Sequence, residues 1–173
     1  MSPELIVVAA YGRLLPRKIL ELPAKGCINV HSSLLPKYRG AAPINWAVLN
    51  GEEETGVTIM YMAQELDAGD IIAQASTPID PEETVESVHD RLAGLGARLL
   101  VQTVSRLEAG TAERTPQDGE RATYAPMLSR ELSPIDWTRP AREIHDQIRG
   151  LIPWPASSTD LLGAGVVKVF GGR

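Results

Sequence analysis

Apolar runs separated by glycine, proline and polar residues cover the first half of the chain, and they predict short strands joined by loops and helices. Residues 5–10 form a continuous run, LIVVAA, whose length and valine and isoleucine content favour a strand buried on both faces. Pro16 and Pro43 stand where a proline can open a helix. The predicted strands lie at 5–10, 27–32, 56–62 and 70–79, and the predicted helices lie at 17–22, 43–49, 84–108 and 140–151.

The order of these elements predicts an α/β fold. A strand, a helix and a strand follow one another within residues 27–62, so the strands at 27–32 and 56–62 should be parallel and joined by a right-handed crossover. Only the seven residues AQELDAG separate the third strand from the fourth, so we expect an antiparallel hairpin at the sheet edge. The predicted sheet is therefore open, mostly parallel and doubly wound, of the Rossmann-like kind.

The pattern changes after residue 110. The long helix carries a single apolar stripe that should face the sheet, formed by Val85, Val88, Leu92, Leu95 and Leu99. Residues 111–139 lack clean periodicity and read as an extended connector, and a further unit follows at 140–173 with a strand at 166–170. A central-type strand that begins at residue 5, and a strand that runs to the end of the chain, predict that this is part of a longer protein.

Composition places the chain among ordinary soluble globular proteins, with 43% hydrophobic and 23% charged residues in 173. No apolar run approaches the roughly 20 residues of a membrane-spanning helix, and no basic stretch precedes the first apolar run as in a signal peptide. The single cysteine, Cys27, excludes an internal disulfide and an all-cysteine metal site, so we expect a reduced, cytoplasmic setting. The net charge of −5 argues against binding of a nucleic-acid backbone through charge alone.

Three polar side chains are candidates for chemistry. Asn29 and His31 end the second predicted strand and, two positions apart, project from the same face. Asp67 follows the third strand, and ligands of open α/β sheets bind outside the carboxyl ends of the strands. An amide, an imidazole and a carboxylate at one edge could act on a carbonyl, because the amide can donate to an oxyanion and the imidazole can move a proton.

Each of these residues also has a structural interpretation. Asn29 could be a buried amide that holds a loop, His31 a hydrogen-bonded structural histidine, and Asp67 a turn former before Ala-Gly. Their combination at predicted strand ends favours a functional site, but the pattern leaves the reaction unnamed.

The remaining titratable candidates are weaker. His89 and His145 lie on predicted helices and are expected to be solvated or to pack, and Cys27 is expected to belong to the core. The histidine spacing fits no metal site, so no metal is predicted, and no phosphate-binding or nucleophile-elbow motif occurs.

The stretch NVHSSLLPKYRGAAPINW, followed by LDAGD, resembles the folate-dependent formyltransferase family. The resemblance implies transfer of the formyl group of 10-formyltetrahydrofolate, the co-substrate, to an amine, with Asn29, His31 and Asp67 as catalytic residues. It also implies a folate-binding surface made by two segments. Its residues are Ser33, Leu34, Leu35 and Pro36 in the SLLP loop and Gly12, Arg13, Leu14 and Leu15 after the first strand.

RGAAP, TYAPMLSRELSPIDW and PWPAS are similar to the branch of the family that formylates initiator methionyl-tRNA. The resemblance then implies that 1–110 is the second half of a catalytic domain and that 140–173 begins a C-terminal β-barrel-type domain. Most tRNA contacts would lie outside this chain, and the full-length protein would be a monomer. Lys37 and Arg39 could face tRNA phosphates or be solvated. Two alternatives are a sugar-nucleotide N-formyltransferase and an inactive folate-binding fragment.

Overall fold

The computed structural model describes residues 3–163 and 165–171. Their helices are α1 Arg17–Leu20, α2 Pro43–Leu49, α3 Val85–Glu108 and α4 Ala141–Gly150. Their strands are β1 Ile6–Ala9, β2 Cys27–His31, β3 Arg39–Gly40, β4 Glu54–Tyr61, β5 Ile71–Pro78, β6 Tyr124–Ala125, β7 Ser157–Leu161 and β8 Gly165–Val169. The chain end that was predicted to be unfinished lies partly outside these residues.

The main sheet has the strand order β1-β2-β4-β5. β1 and β2 are parallel, whereas β2 pairs with β4, and β4 with β5, in antiparallel fashion. The α/β class and the antiparallel edge hairpin are thus confirmed. The parallel pairing predicted for β2 and β4 is wrong, and within the described residues the parallel part of the main sheet is the β1–β2 pair.

The short helix α2 explains this antiparallel pairing. Its seven residues span only about 10 Å, and the chain re-enters the sheet near the end of β2 rather than returning to its start. His31, the last residue of β2, consequently lies opposite Thr58 near the middle of β4, and Ile28 near the start of β2 lies opposite Tyr61 at the end of β4. The sequence pattern of strand, helix and strand does not distinguish this re-entry from a crossover.

β1 lies at the edge of the sheet in the part of the chain that the structure describes. Its burial alternates, and Val7 is 43% exposed, so the burial predicted for both of its faces is not found here.

The core lies between the sheet and the long helix α3. Val85, Val88 and Leu92 of the predicted stripe are buried, and Leu95 and Leu99 pack against them. They cover one face of the sheet, where Ile28, Val57 and Ile59 point. Because β-strand side chains alternate, Asn29, His31 and Thr58 point to the opposite face. The helix thus leaves that second face free for a site.

The chain beyond residue 110 packs against residues 3–110 at several places, of which two position its helix and its short strand. β6 pairs with β3 in parallel, and the Asn45 amide of α2 donates to the Gly150 carbonyl at the end of α4. Ile144 and Ile148 of α4 form a second small core with Ile135. The predicted last strand is found as β8, but its partner β7 (SSTDL) was not predicted because it is polar and short.

Among the helices that the structure describes, none is both long enough and apolar enough to cross a membrane.

Candidate active site

His31 occupies the centre of the site and is 6% exposed. Its Nε2 lies 2.9 Å from the Tyr38 carbonyl oxygen. Because a carbonyl only accepts, this nitrogen must carry the hydrogen, and Nδ1 is left as the atom that can gain or lose a proton. Tyr38 has a left-handed backbone conformation (φ 63°), which helps to turn its carbonyl towards the imidazole.

Asp67 lies on the other side of the imidazole. Its Oδ2 is 3.7 Å from His31 Nδ1 and accepts a 2.9 Å hydrogen bond from the Gly40 N–H. The distance to Nδ1 is too long for a hydrogen bond, so Gly40, not His31, fixes the carboxylate. The sequence prediction that these two side chains meet is correct within this structure.

Asp67 reaches His31 by a route that the sequence did not indicate. β4 ends beside the start of β2, where the Met62 N–H donates to the Cys27 carbonyl. Residues 63–69 then fold back across the sheet to the carboxyl end of β2. Gly69 allows this reversal, since a Cβ there would lie 1.8 Å from the Tyr61 carbonyl oxygen.

Asn29 shares the face of β2 that carries His31. It is half-buried, and its register neighbours are Val8 and Met60. His31 and Asp67 both form hydrogen bonds through their side chains. Within the described residues, the Asn29 amide forms none. Its two N–H donors are therefore available for a substrate oxygen.

The SLLP loop after β2 divides into buried and accessible side chains. The Ser33 side chain is fully buried and donates to the Lys37 carbonyl at 2.6 Å, and Leu35 is 3% exposed. Leu34 and Pro36 are half-buried, so they are the side chains of this loop that a ligand can reach.

Thr58 of β4 anchors the same loop. Its hydroxyl donates to the Ser33 carbonyl and accepts hydrogen bonds from the Leu35 N–H and from Gln74 Nε2, at 2.6, 3.1 and 2.9 Å. Gln74 Nε2 also donates to the Leu35 carbonyl at 2.9 Å, so the loop that follows His31 is held to the sheet by a buried hydroxyl and a neighbouring amide.

The second predicted folate-binding segment follows β1. Because β1 and β2 are parallel, this segment leaves the sheet at the edge where β2 also ends. Gly12, Arg13 and Leu14 are exposed and Leu15 is half-buried. The structure thus places this segment and His31 at one edge of the sheet.

Sequence reasoning missed several groups of the site. The backbone groups of Tyr38 and Gly40 carry no side-chain signal, and Gln117 lies in the connector, where no pattern marked it. Arg39 was expected to face phosphates or solvent, but it is 4% exposed, and its guanidinium donates to Gln117 Oε1. That expectation for Arg39 is wrong. Exposed Lys37 instead forms an ion pair with Glu52.

The titration of two buried groups is altered by their surroundings. Burial and hydrogen bonding to Glu52 raise the pKa of Tyr38 to about 12, against an opposing hydrogen bond from Asn50. Burial also raises the pKa of the Cys27 thiol, which fits the prediction of a core residue.

The other two histidines lie away from the site. His89 is largely exposed on α3, as predicted, and His145 is 3.7 Å from Glu82. Within residues 3–163 and 165–171, no group of three or more histidine, cysteine or carboxylate side chains could hold a metal ion.

Two family models match the chain. One described as "Formyl transferase" covers residues 1–104, and one described as "Formyl transferase, C-terminal domain" covers residues 127–173. The chain belongs to the formyl transferase family, as the sequence resemblance predicted.

Two curated relatives align over the whole chain. Methionyl-tRNA formyltransferase from Moorella thermoacetica is 57% identical, with 55% of its own length covered. Methionyl-tRNA formyltransferase from Pelobacter propionicus is 52% identical, with 54% covered. The chain therefore spans about half the length of the curated relatives it matches.

Solved structures share the fold. HypX from Aquifex aeolicus, in complex with tetrahydrofolic acid, has a TM-score of 0.79 at 23% identity, over 93% of this chain and 28% of that one. A likely sugar N-formyltransferase from Mycobacterium tuberculosis has a TM-score of 0.80 at 21% identity, over 96% and 72%. An N-formyltransferase from Helicobacter canadensis, in complex with folinic acid and dTDP-3-aminofucose, has a TM-score of 0.66 at 29% identity, over 71% and 46%.

Proposed function

We propose that this protein transfers the formyl group of 10-formyltetrahydrofolate to the α-amino group of methionyl-tRNA, the activity for which its relatives are named. The observation that carries the proposal is the orientation of His31. With Nε2–H donated to the Tyr38 carbonyl, Nδ1 faces the Asp67 carboxylate. A nitrogen lone pair beside a carboxylate can take up and hold the proton that an amine loses when it becomes an amide.

In the proposed reaction, the methionyl amine attacks the formyl carbon and a new C–N bond forms. The π electrons of the formyl group move to its oxygen, and the Asn29 amide donates to that oxyanion. The amine proton passes to Nδ1 of His31, where the Asp67 carboxylate stabilises the imidazolium and the new N–H can also donate to the oxyanion. Collapse of the intermediate breaks the bond between the formyl carbon and N10 of the folate. N10 then receives the proton from His31.

Folate binding would use the edge of the sheet beside His31. Leu34 and Pro36 provide half-exposed apolar surface for the ring system, while buried Ser33 and Leu35 keep the loop in shape. The backbone of the segment from Gly12 to Leu15 would meet the donor and acceptor groups of the pterin.

We infer that most tRNA contacts lie in parts of the protein outside this chain, since the chain spans about half of its relatives. A monomeric, cytoplasmic protein is expected.

The test uses the full-length protein with 10-formyltetrahydrofolate and methionyl-tRNA, and it measures formylmethionine released from the tRNA. Asn29→Ala should lower kcat by about 100-fold or more, because a lost oxyanion donor typically costs that much. Asp67→Asn should lower kcat by a similar factor, because an amide does not stabilise the imidazolium on which the proton transfer depends. Asp90→Asn makes the same carboxylate-to-amide change on an exposed helix position and should leave kcat unchanged. Near-normal turnover in Asn29→Ala would refute this mechanism.

A second candidate is transfer to an amino-sugar nucleotide, which the Helicobacter canadensis likeness favours. Competition between methionyl-tRNA and a dTDP-amino sugar in the same assay separates the two acceptors. Binding of folate without transfer to either acceptor would instead support an inactive folate-binding protein.

A further inference from the structure

The connector touches both partners of His31. Thr123 Oγ1 accepts from the N–H of Tyr38, the residue whose carbonyl holds the imidazole. Gln117 Nε2 donates to the carbonyl of Asp67 at 2.7 Å and to that of Gly69 at 2.8 Å. A segment that the sequence marked only as irregular is thus in contact with the loops on either side of the candidate site.

Gln117 uses both ends of its amide. Its Oε1 accepts from Nε and Nη2 of Arg39, at 3.1 and 2.8 Å, while its Nε2 donates to the two carbonyls of the Asp67 loop. A guanidinium only donates and a carbonyl only accepts, so the amide has a single workable orientation. A glutamate would place a carboxylate against two carbonyls, and an aliphatic side chain would leave all four groups without this partner.

The burial of Arg39 makes its contact with Gln117 costly to break. It is 4% exposed, and its second contact, Glu65 at 3.6 Å, is a largely exposed carboxylate. A buried guanidinium needs hydrogen-bond acceptors, because leaving its N–H groups unpaired is costly. Gln117 supplies one such acceptor, which ties Arg39 of β3 to the Asp67 loop. The adjacent residue of β3, Gly40, donates to the Asp67 carboxylate itself.

We propose that Gln117 is a positioning residue of the transfer reaction. It holds the backbone of Asp67, which adopts a left-handed conformation (φ 49°), so that the carboxylate faces Nδ1 of His31. This inference rests on the proposed function. It names a residue outside the three proposed catalytic residues that holds one of them, Asp67, in place. The residue acts through Asp67 and touches no reacting atom.

The test compares Gln117→Glu with Gln102→Glu in the full-length protein. The control makes the same change at an exposed position of α3. Gln117→Glu should lower kcat by about 10- to 100-fold per folded molecule, the scale of a misplacement of roughly 1 Å, while KM for 10-formyltetrahydrofolate changes less than about twofold. Gln102→Glu should leave both unchanged. Gln117→Asn keeps the amide but shortens its reach, so kcat should fall by a smaller factor, and it serves if the glutamate variant does not fold.

A second readout does not depend on activity. The ¹⁵N resonance of His31 Nδ1, assigned with a His31→Gln variant among the three histidines of the chain, reports the group that faces this nitrogen. It should shift in the Gln117 variants and stay in place in Gln102→Glu.

The outcomes separate the two proposals. Unchanged kcat per folded molecule in both Gln117 variants, or a lower unfolding temperature with an unchanged Nδ1 resonance, would show a merely structural role and overturn the inference. If the wild-type protein transfers no formyl group, the proposed function fails, whereas the Nδ1 resonance still decides whether Gln117 positions Asp67.

Discussion

Replacing Thr58 by valine removes a buried hydroxyl that helps to hold the SLLP loop to the sheet. The Thr58 side chain is fully buried, and its hydroxyl uses its whole hydrogen-bonding capacity, with one bond donated and two accepted. Valine has nearly the same shape, so the change leaves no large cavity. The effect therefore measures the hydrogen bonds rather than packing.

The expected magnitude follows from these contacts. Each intramolecular hydrogen bond contributes about 1 kcal/mol net, so the three bonds together amount to about 3 kcal/mol. The Ser33 carbonyl and the Leu35 N–H also lose this partner in a buried place, so we expect the destabilisation to reach this full sum. We therefore expect the free energy of unfolding of Thr58→Val to be lower by about 3 kcal/mol.

Urea unfolding followed by circular dichroism measures this difference. The matched control is Thr55→Val, three positions earlier on β4, where the side chain is also buried at 3% exposure. The Thr58 hydroxyl forms hydrogen bonds, whereas within the described residues the Thr55 side chain forms none. Replacing Thr55 by valine should therefore change the free energy of unfolding by less than about 1 kcal/mol. Equal effects of the two substitutions would refute the reasoning.

Three further predictions concern single residues. Gly40→Ala should lower the free energy of unfolding by about 1–3 kcal/mol and reduce formyl transfer. The reason is that Gly40 has a φ of 118° and that a Cβ there would lie 2.7 Å from the Ala125 carbonyl oxygen. Gly119→Ala is the control, because its Cβ would enter open space, and it should have neither effect. The pKa of Tyr38 is raised to about 12 from its ordinary value of 10, so the unfolded chain loses this proton at lower pH than the folded protein. The free energy of unfolding should therefore fall by about 2 kcal/mol as pH rises from 10 to 12. Tyr38→Phe should remove this fall from the plot of stability against pH. Burial that raises the pKa of Cys27 should make its alkylation by iodoacetamide slow in the native protein and fast in urea, and equal rates would contradict its place in the core.

The sequence predicts the local parts of this fold well. The stripe on α3 and the shared face of Asn29 and His31 follow from helix and strand periodicity, and both are found. The proline at position 43 opens a helix with the predicted bounds. These features depend on residues within a few positions of one another, which is why a pattern reveals them.

Predictions that depend on residues far apart in the chain were less successful. Strand direction for β2 and β4 depends on where the chain re-enters the sheet, and apolar pattern is the same for both directions. Asp67 was expected beside His31 because the strands were thought parallel; it reaches that place because residues 63–69 fold back. The carbonyl of Tyr38 and the amide of Gln117 join segments whose pairing no local pattern encodes.

The contacts of Gln117 also bear on the order of folding. This residue is 50 positions from Asp67 and 78 from Arg39 along the chain. Contacts at such separation form only after long loops have closed, so the sheet and α3 can assemble while the site is still open. We therefore expect catalytic competence to appear later in refolding than secondary structure. The two family matches end at residue 104 and begin at residue 127, so Gln117 lies in the segment between them, and a chain cut back to residues 1–104 would lack its contacts with Asp67 and Arg39.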